Sequence, residues 1–401
     1  MEVRKSHSFF DVCRTPSLAC AVTLQPIDRY PQLDCSIIFS DILVIPQALG
    51  LEVLMLDKQG PVFPKPIRDP VADLERVKHL TEEEVHEALG YVYDAIRLTR
   101  HRLEGRVPLI GFCGGPWTLL NYMIEGGGTN SKHNFSKPFL YSYPEAAHTL
   151  LQRITDACVY FLIGQAKAGA QMLQVFESSG GELPPELFAE FALPYLAQIP
   201  ARVRKALKEL GVRSTIKVHG FVGSTDEEPR LVSDDSIPIT CFPRCAPFAL
   251  PWLAAFQYDT FSIDGNVSAE TARELISKPR LPNIAAAPAA SYERVAAWLK
   301  EGITYDAETK SLVVSETAKS ITLQGNIDPC VLFAPEQVIK SRVADCCRDF
   351  NYQRHIFNLG HGMLPSHSPD AVKVLLNAVH EHAQNPRYNE EVVKSAIERA
   401  M

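Results

Sequence analysis

Short runs of β-forming residues alternate with amphipathic helical patterns along most of this chain. The runs predict strands at SIIFS (36–40), PLIGF (108–112), MLQVF (172–176), TIKVH (215–219), TFSID (260–264), SITLQ (320–324) and HIFNL (355–359). Helical patterns lie between most of them, and the clearest cover residues 82–103 and 144–169. Because strands that alternate with helices are typical of a parallel sheet, the sequence indicates an α/β fold.

Residues suited to a reactive site follow nearly every predicted strand. Examples are FSD, GFCGGPW, FESSGG, IDGN and NLGHG. Barrel enzymes build their sites from loops at the carboxyl ends of the strands, so we predict a (β/α)8 TIM barrel, with a doubly wound sheet as the alternative. A barrel needs eight strands, and the pattern supplies seven. The remaining one should precede SIIFS, so we expect the first strand to be missing from this chain.

Two segments break the alternation. Residues 277–319 combine a Pro/Ala-rich start, one short amphipathic helix and a polar turn. We interpret them as an insertion before SITLQ, which is the seventh strand of the barrel when the missing first strand is counted. Residues 223–245, GSTDEEPRLVSDDSIPITCFPRC, look acidic and irregular. Neither segment predicts a separate domain. We therefore expect a single barrel over residues 1–384, followed by a C-terminal tail at 385–401.

The composition excludes several classes of protein. No apolar run approaches the roughly 18 residues that span a bilayer, and the N-terminus MEVRKSHSFF lacks the layout of a secretory signal. The ten cysteines are irregularly spaced, unlike the dense framework of a small secreted domain. A net charge of −7 disfavours general nucleic-acid binding. We expect a cytoplasmic protein with reduced thiols.

One carboxylate, Asp41, interrupts the apolar stretch CSIIFSDILVIPQALG (35–50). A buried, unpaired aspartate is costly. Either a partner neutralises Asp41, or the strand ends at a site that uses the charge. The simplest alternative is that Asp41 caps the helix that follows the strand.

Five blocks of the sequence resemble the uroporphyrinogen decarboxylase family, in order and with family-like spacing. They are TLQPIDRYPQLDCSIIFSDILVIPQALG, VPLIGFCGGPWTLLNYMIEGGG, AGAQMLQVFESSGGEL, TLQGNIDPC and NLGHGMLP. The resemblance implies a single barrel, usually a homodimer, without metal or prosthetic group. It also implies removal of carbon dioxide from the four acetate side chains of uroporphyrinogen III, which gives coproporphyrinogen III in heme biosynthesis.

The resemblance assigns roles to particular residues. Asp41 matches the family's FSD aspartate, and Tyr122 matches a tyrosine held to orient the substrate. The resemblance implies that both are catalytic and substrate-binding residues. Ser178 and His361 match positions that contact substrate carboxylates, and Arg4 aligns with a substrate-contacting arginine. The alternatives are a core tyrosine for Tyr122, a helix cap for Ser178 and a buried histidine without function for His361.

Two departures from the family pattern keep other functions open. The family's N-terminal MRQAGRY motif is absent, and SIDGNV stands where the family generally has a tryptophan after the aspartate. The chain could therefore be an N-terminally truncated, inactive porphyrinogen-binding or dimer-partner chain. A zinc-dependent, cobalamin-linked methyltransferase relative would need a His-x-Cys pair, whereas Gly220 and Phe221 follow His219, and Cys241 and Cys245 lack a matching histidine.

Overall fold

The computed structural model describes residues 6–56, 60–127, 134–214, 236–280, 282, 303–306, 311–314, 321–351 and 354–383. The predicted strand TIKVH, residue Arg4, residue His219 and the predicted tail lie outside this part of the chain. The described strands are β1 Ser36–Ile37, β2 Leu54–Leu56, β3 Gly60–Val62, β4 Leu109–Gly114, β5 Met172–Glu177, β6 Ile239–Pro243, β7 Thr260–Ser262, β8 Ile303–Asp306, β9 Ser311–Val314, β10 Thr322–Ile327 and β11 His355–Leu359.

Helices follow most strands of the parallel sheet. In chain order they are α1 Phe9–Arg14, α2 Pro16–Arg29, α3 Val44–Ala48, α4 Ala72–Arg76, α5 Glu82–Ala88, α6 Gly90–Leu103, α7 Pro116–Glu125, α8 Ser136–Ser142, α9 Pro144–Lys167, α10 Pro185–Phe191, α11 Leu193–Glu209, α12 Leu250–Leu253, α13 Ala269–Ser277, α14 Glu336–Asp349 and α15 Pro369–Ala383. Short 3₁₀ helices cover Gly180–Glu182, Pro247–Ala249 and Pro329–Phe333.

Among the described residues, seven strands form one parallel sheet in the order β1-β4-β5-β6-β7-β10-β11. The order follows the chain without reversal, whereas a doubly wound sheet reverses at a switch point. The sheet also curls, because the segment before β1 contacts α15 at the far end of the order. Gln32 Nε2 donates to Asn377 Oδ1 at 2.8 Å, and His380 Nε2 lies 2.7 Å from the carbonyl oxygen of Gln32. The α/β prediction with a parallel sheet is confirmed.

The interpretation of residues 223–245 as irregular throughout is wrong at its carboxyl end. Ile239–Pro243 form β6, a buried strand between β5 and β7. All of its residues are buried, so its sequence lacks the alternation that marks a half-buried strand. Pro238 and Pro243 at its two ends also make the sequence pattern look like that of a turn. A proline is tolerated there because it ends the ladder rather than interrupting it.

Two further details differ from the sequence patterns. The helical pattern at 82–103 is divided into α5 and α6 at Leu89, where Gly90 begins the second helix, and glycine weakens a helix interior. β2 and β3 form an antiparallel pair outside the main sheet, as do β8 and β9 within the predicted insertion. A large apolar core lies under the sheet and its helices, and a smaller cluster joins α14 to α15.

Candidate active site

Hydrogen bonds join the carboxyl ends of the parallel strands to one another. They link β4 to β5, β5 to β6, β6 to the loop after β7, that loop to β10, and β10 to the loop after β11. The bonds are Gly115 N to Phe176 O (2.7 Å), Arg244 N to Glu177 O (3.2 Å), Cys245 N to Asp264 Oδ2 (2.6 Å), Asn326 Nδ2 to Asp264 O (3.0 Å) and Gly360 N to Ile327 O (2.7 Å). These bonds fix the backbone from which the side chains at this edge project.

Asp41 follows β1 at this edge, and its two carboxylate oxygens differ. Oδ1 accepts a hydrogen bond from the backbone N–H of Leu43 at 3.1 Å. Oδ2 is buried and has no hydrogen-bond partner among the described residues. Burial raises the pKa of Asp41, against the effect of the Leu43 and Ile42 N–H groups. The N-cap residue of α3 is Leu43, which makes no side-chain cap bond, and the bond from Leu43 N to Asp41 closes a local turn just before the helix.

Tyr122 lies on α7, which follows β4, and it is partly buried. Burial raises the pKa of Tyr122, and the negative charges of Asp41 and Glu182 raise it further, whereas the positive charge of Arg244 lowers it. Asp41 and Tyr122 are therefore near enough to interact electrostatically. The Tyr122 hydroxyl makes no hydrogen bond to the described part of the chain, unlike a core tyrosine with a backbone partner.

Ser178 comes directly after β5 and is partly buried. It caps none of the described helices; the 3₁₀ helix beside it begins after Ser179, whose side chain makes no cap bond. The preceding residue, Glu177, is fully buried, and burial raises its pKa to about 7. Ser178 thus leaves the sheet beside a carboxylate that is held inside the protein.

His361 comes two residues after β11 and is partly exposed, so it is not the buried histidine of the alternative. Its Nδ1 lies 3.2 Å from the carbonyl oxygen of Gly362. Hydrogen bonding from the Cys330 N–H lowers the pKa of the neighbouring Asp328, and the fields of His361 and His367 contribute. No contact joins His361 to Asp41 or Tyr122 within the described ranges. Asp41 follows β1, and Tyr122 lies on the helix after the adjacent strand β4, within range of an electrostatic interaction. His361 follows β11 at the other end of the strand order.

Arg244 is a cation at the same edge that the sequence patterns did not reveal. Glu177 pairs with Pro243 in the β5–β6 register, so Ser178 and Arg244 leave the sheet side by side. The Arg244 carbonyl accepts from Gly181 N at 2.8 Å, and its side chain is exposed. The apolar run IPITCFP before Arg244 was the signal that could have identified it.

Three phenylalanine rings meet across neighbouring strands just before the strands end. Phe112 and Phe176 pack edge to face with ring centroids 5.7 Å apart, and Phe176 and Phe242 do so at 6.3 Å. Phe112 and Phe176 are partly exposed. An apolar, flat ligand could therefore lie near the ionisable groups of this edge.

Within the described residues, no group of three or more His, Cys, Asp or Glu side chains is arranged to hold a metal ion. Of the cysteines considered as zinc ligands, Cys241 is buried and Cys245 is exposed. In the same part of the chain, no helix combines the length and apolar character that a membrane crossing requires.

The fold and these groups define the class of the protein. It is a parallel α/β protein whose strands follow one another in chain order, and its ionisable side chains gather at the carboxyl ends of the strands. The family model described as Uroporphyrinogen decarboxylase (URO-D) matches residues 1–382, so the chain belongs to that family. The resemblance seen in the five sequence blocks is thereby confirmed.

Relatives of the chain come from animals and bacteria. The uroporphyrinogen decarboxylase of Ovis aries is 41% identical over 97% of this chain and 87% of its own length, and that of Homo sapiens is 40% identical over the same shares. The enzyme of Salinibacter ruber is 40% identical over 96% and 88%. A solved methyltransferase from Methanosarcina mazei superposes with a TM-score of 0.63 at 16% identity, covering 95% of this chain and 90% of its own, which shows a shared fold alone.

Proposed function

We propose that this chain decarboxylates the four acetate side chains of uroporphyrinogen III to give coproporphyrinogen III in heme biosynthesis. Each step replaces a –CH₂–COO⁻ group and a proton by –CH₃ and carbon dioxide. The observation that carries the proposal, beside membership of the family, is Asp41, whose buried Oδ2 has no partner among the described residues.

The reaction explains why a site would retain such a carboxylate. An acetate on an electron-rich pyrrole loses carbon dioxide readily only when the ring is first protonated, because the departing electron pair then enters a cation. Asp41 in its ionised form accepts hydrogen bonds from the pyrrole N–H groups and favours positive charge on the ring. In a water-poor site such an interaction is stronger than in water.

Other groups supply the rest of the site in this proposal. Tyr122 hydrogen-bonds an acetate and orients it, and Ser178 and His361 contact substrate carboxylates, as does Arg4. We add Arg244, because a guanidinium beside Ser178 suits a substrate with eight carboxylates. Phe112 and Phe176 offer the apolar macrocycle a surface. The proposal requires no metal or cofactor.

The fold in this proposal is a TIM barrel with one strand position between β11 and β1. Two facts support it: β1 and β11 end the strand order in the described residues, and residues near β1 contact α15. Ile37 of β1 is 42% exposed, and no residue of β11 is fully buried, unlike those of β6. The test is to join a segment that carries MRQAGRY ahead of this sequence. Higher solubility and activity than for the 401-residue chain are expected; equal behaviour would show that the sheet needs no further strand.

In this proposal the enzyme acts in the cytoplasm, as the sequence composition indicates, and as a homodimer, as the family resemblance implies. Size-exclusion chromatography with light scattering tests the dimer, and a single-chain mass at working concentration contradicts it.

The reaction is tested with reduced uroporphyrinogen III under anaerobic conditions. Products are oxidised to porphyrins and separated by carboxyl number with fluorescence detection. We expect porphyrin intermediates with seven, six and five carboxyl groups, followed by coproporphyrin. Tight binding of the porphyrinogen without any product would instead identify the inactive porphyrinogen-binding chain.

A further inference from the structure

Glu177, the last residue of β5, is a carboxylate with 0% of its surface exposed. Burying a carboxylate is costly unless hydrogen bonds compensate it. Oε2 accepts from the backbone N–H of Trp117 at 3.2 Å, and Oε1 accepts from the backbone N–H of Thr118 at 2.7 Å. The Thr118 hydroxyl also donates to Oε1. All of these donors belong to the first turn of α7.

Helix α7 lacks a cap from its own sequence. Gly115 occupies the N-cap position and provides no side chain, and Pro116 begins the helix. The first backbone N–H groups of a helix need acceptors, and the helix dipole favours a negative charge there. Glu177 provides both from a neighbouring strand. A Cβ atom at position 115 would collide with the Glu177 carboxylate, so a glycine is required for this approach.

The same helix carries Tyr122, one turn after Thr118 and on the same face. Further bonds tie α7 to the turn after Ser178. Ser179 N donates to Thr118 Oγ1 at 3.0 Å, and Asn121 Nδ2 donates to Ser179 Oγ at 3.2 Å. The position of Tyr122 relative to Ser178 is therefore set where α7 meets the end of β5.

We infer that Glu177 is a positioning residue of the decarboxylation site, which holds α7 at the end of β5 and thereby places Tyr122 against the substrate. This inference rests on the proposed function, because it takes Tyr122 to act on the substrate. Glu177 itself touches no substrate, since its carboxylate is fully buried.

Glu177→Gln is the principal test. The amide keeps the size of the side chain, but its NH₂ group faces a backbone N–H donor. We expect kcat to fall about ten- to a hundredfold with KM within about twofold, because small displacements of an orienting group act mainly on the reacting geometry. In a Tyr122→Phe background the same substitution should change kcat by less than about twofold. The inference would be overturned by an unchanged kcat in Glu177→Gln. It would also be overturned if the double variant lost kcat by the product of the two single-variant losses.

A readout independent of activity is hydrogen exchange of residues 116–125. In Glu177→Gln this segment should exchange at least about tenfold faster than in the wild type, while α11 is unchanged. If the wild type forms no coproporphyrinogen, the proposed function fails. The exchange data then test the contact of Glu177 with α7 independently of activity. Unchanged exchange at 116–125 would show that Glu177 does not hold α7 in place.

Two further variants complete the experiment. If Glu177→Gln does not fold, Thr118→Val replaces it, because this change keeps the backbone bonds to Glu177 and removes only the two bonds of the hydroxyl, to Glu177 and from Ser179 N. It should lower kcat by about threefold, again without effect in the Tyr122→Phe background. Asp259→Asn is the matched control. Asp259 pairs with Arg204 and accepts from Ile239 N at 2.8 Å, at the amino end of the strands. It should lower stability and leave kcat unchanged.

Discussion

Replacing Asp41 by asparagine separates the catalytic use of this carboxylate from its structural effect. Asparagine keeps an oxygen that accepts the 3.1 Å hydrogen bond from Leu43 N, so the local turn survives. The substitution removes the charge on the buried oxygen Oδ2, which has no partner in the described structure. Catalysis and stability should therefore change in opposite directions.

The expected size of the catalytic loss follows from the burial of Asp41. A carboxylate and a cationic ring about 4 Å apart, at an effective dielectric constant of about 20, attract by about 4 kcal/mol. This corresponds to about a thousandfold in rate. Loss of a preorganised electrostatic group in other enzymes lowers kcat by about 10²–10³, which agrees. We expect Asp41→Asn to retain about 0.1–1% of the wild-type rate.

The stability effect has the opposite sign. Burial raises the folded-state pKa of Asp41, so the folded protein binds the proton more tightly than the unfolded chain does. Unfolding free energy therefore falls as pH rises from the unfolded pKa through the folded pKa, and it stays lower at neutral pH. Asparagine carries no charge and avoids this loss. At pH 7, Asp41→Asn should unfold at the same or a higher temperature than the wild type.

The assay combines single-turnover formation of the seven-carboxyl product with thermal unfolding at pH 7. Asp34→Asn is the control, because this substitution removes the same charge at a different place. Asp34 lies at the amino end of β1, and its side chain is 83% exposed. It should keep the wild-type rate. A rate for Asp41→Asn within threefold of the wild type would refute the electrostatic role, and clearly lowered stability would show that the carboxylate supports the fold.

Three other predictions concern the substrate, the metal question and acid stability. Arg244→Gln should raise KM about tenfold or more, through loss of a charged hydrogen bond, while the exposed Arg97→Gln does not; equal KM values would remove Arg244 from the site. Dialysis against a chelator should leave fold and activity unchanged, and activity restored by zinc would favour the methyltransferase relative. Burial lowers the pKa of His355 to about 4, so unfolding free energy should fall by at most about 3 kcal/mol as pH drops from about 6.5 to 4. His355→Phe keeps the stacking on Phe350 and should remove most of this dependence, and an unaltered acid slope would assign it to other groups.

The sequence predicted those strands whose residues form recognisable apolar, β-rich runs. PLIGF and MLQVF became β4 and β5 within a few residues of the predicted bounds. β6 was missed because it is buried on both faces and lies between prolines, so it lacks a period of two. The loss of β6 from the prediction also concealed Arg244, whose meaning depends on the strand before it.

For the site, the sequence by itself determined which chemistry was available. Asp41 stood out because a carboxylate inside an apolar run is costly, and the motifs around it, Tyr122, Ser178 and His361 identified the family. Local pattern and motif suffice for such features because they depend on residues close together in the chain.

Only the tertiary structure decided how these groups act on one another. Among the described residues, Oδ2 of Asp41 has no hydrogen-bond partner, Tyr122 lies in the fields of Asp41 and Arg244, and Glu177 binds the start of α7. Each of these features depends on how distant segments pack together. Glu177 and Thr118 are 59 positions apart, and their contact exists because parallel pairing places the ends of β4 and β5 side by side. Sequence spacing carries no record of such a contact, since the free energy that selects it comes from burial and from hydrogen bonds formed only once the sheet has closed around them.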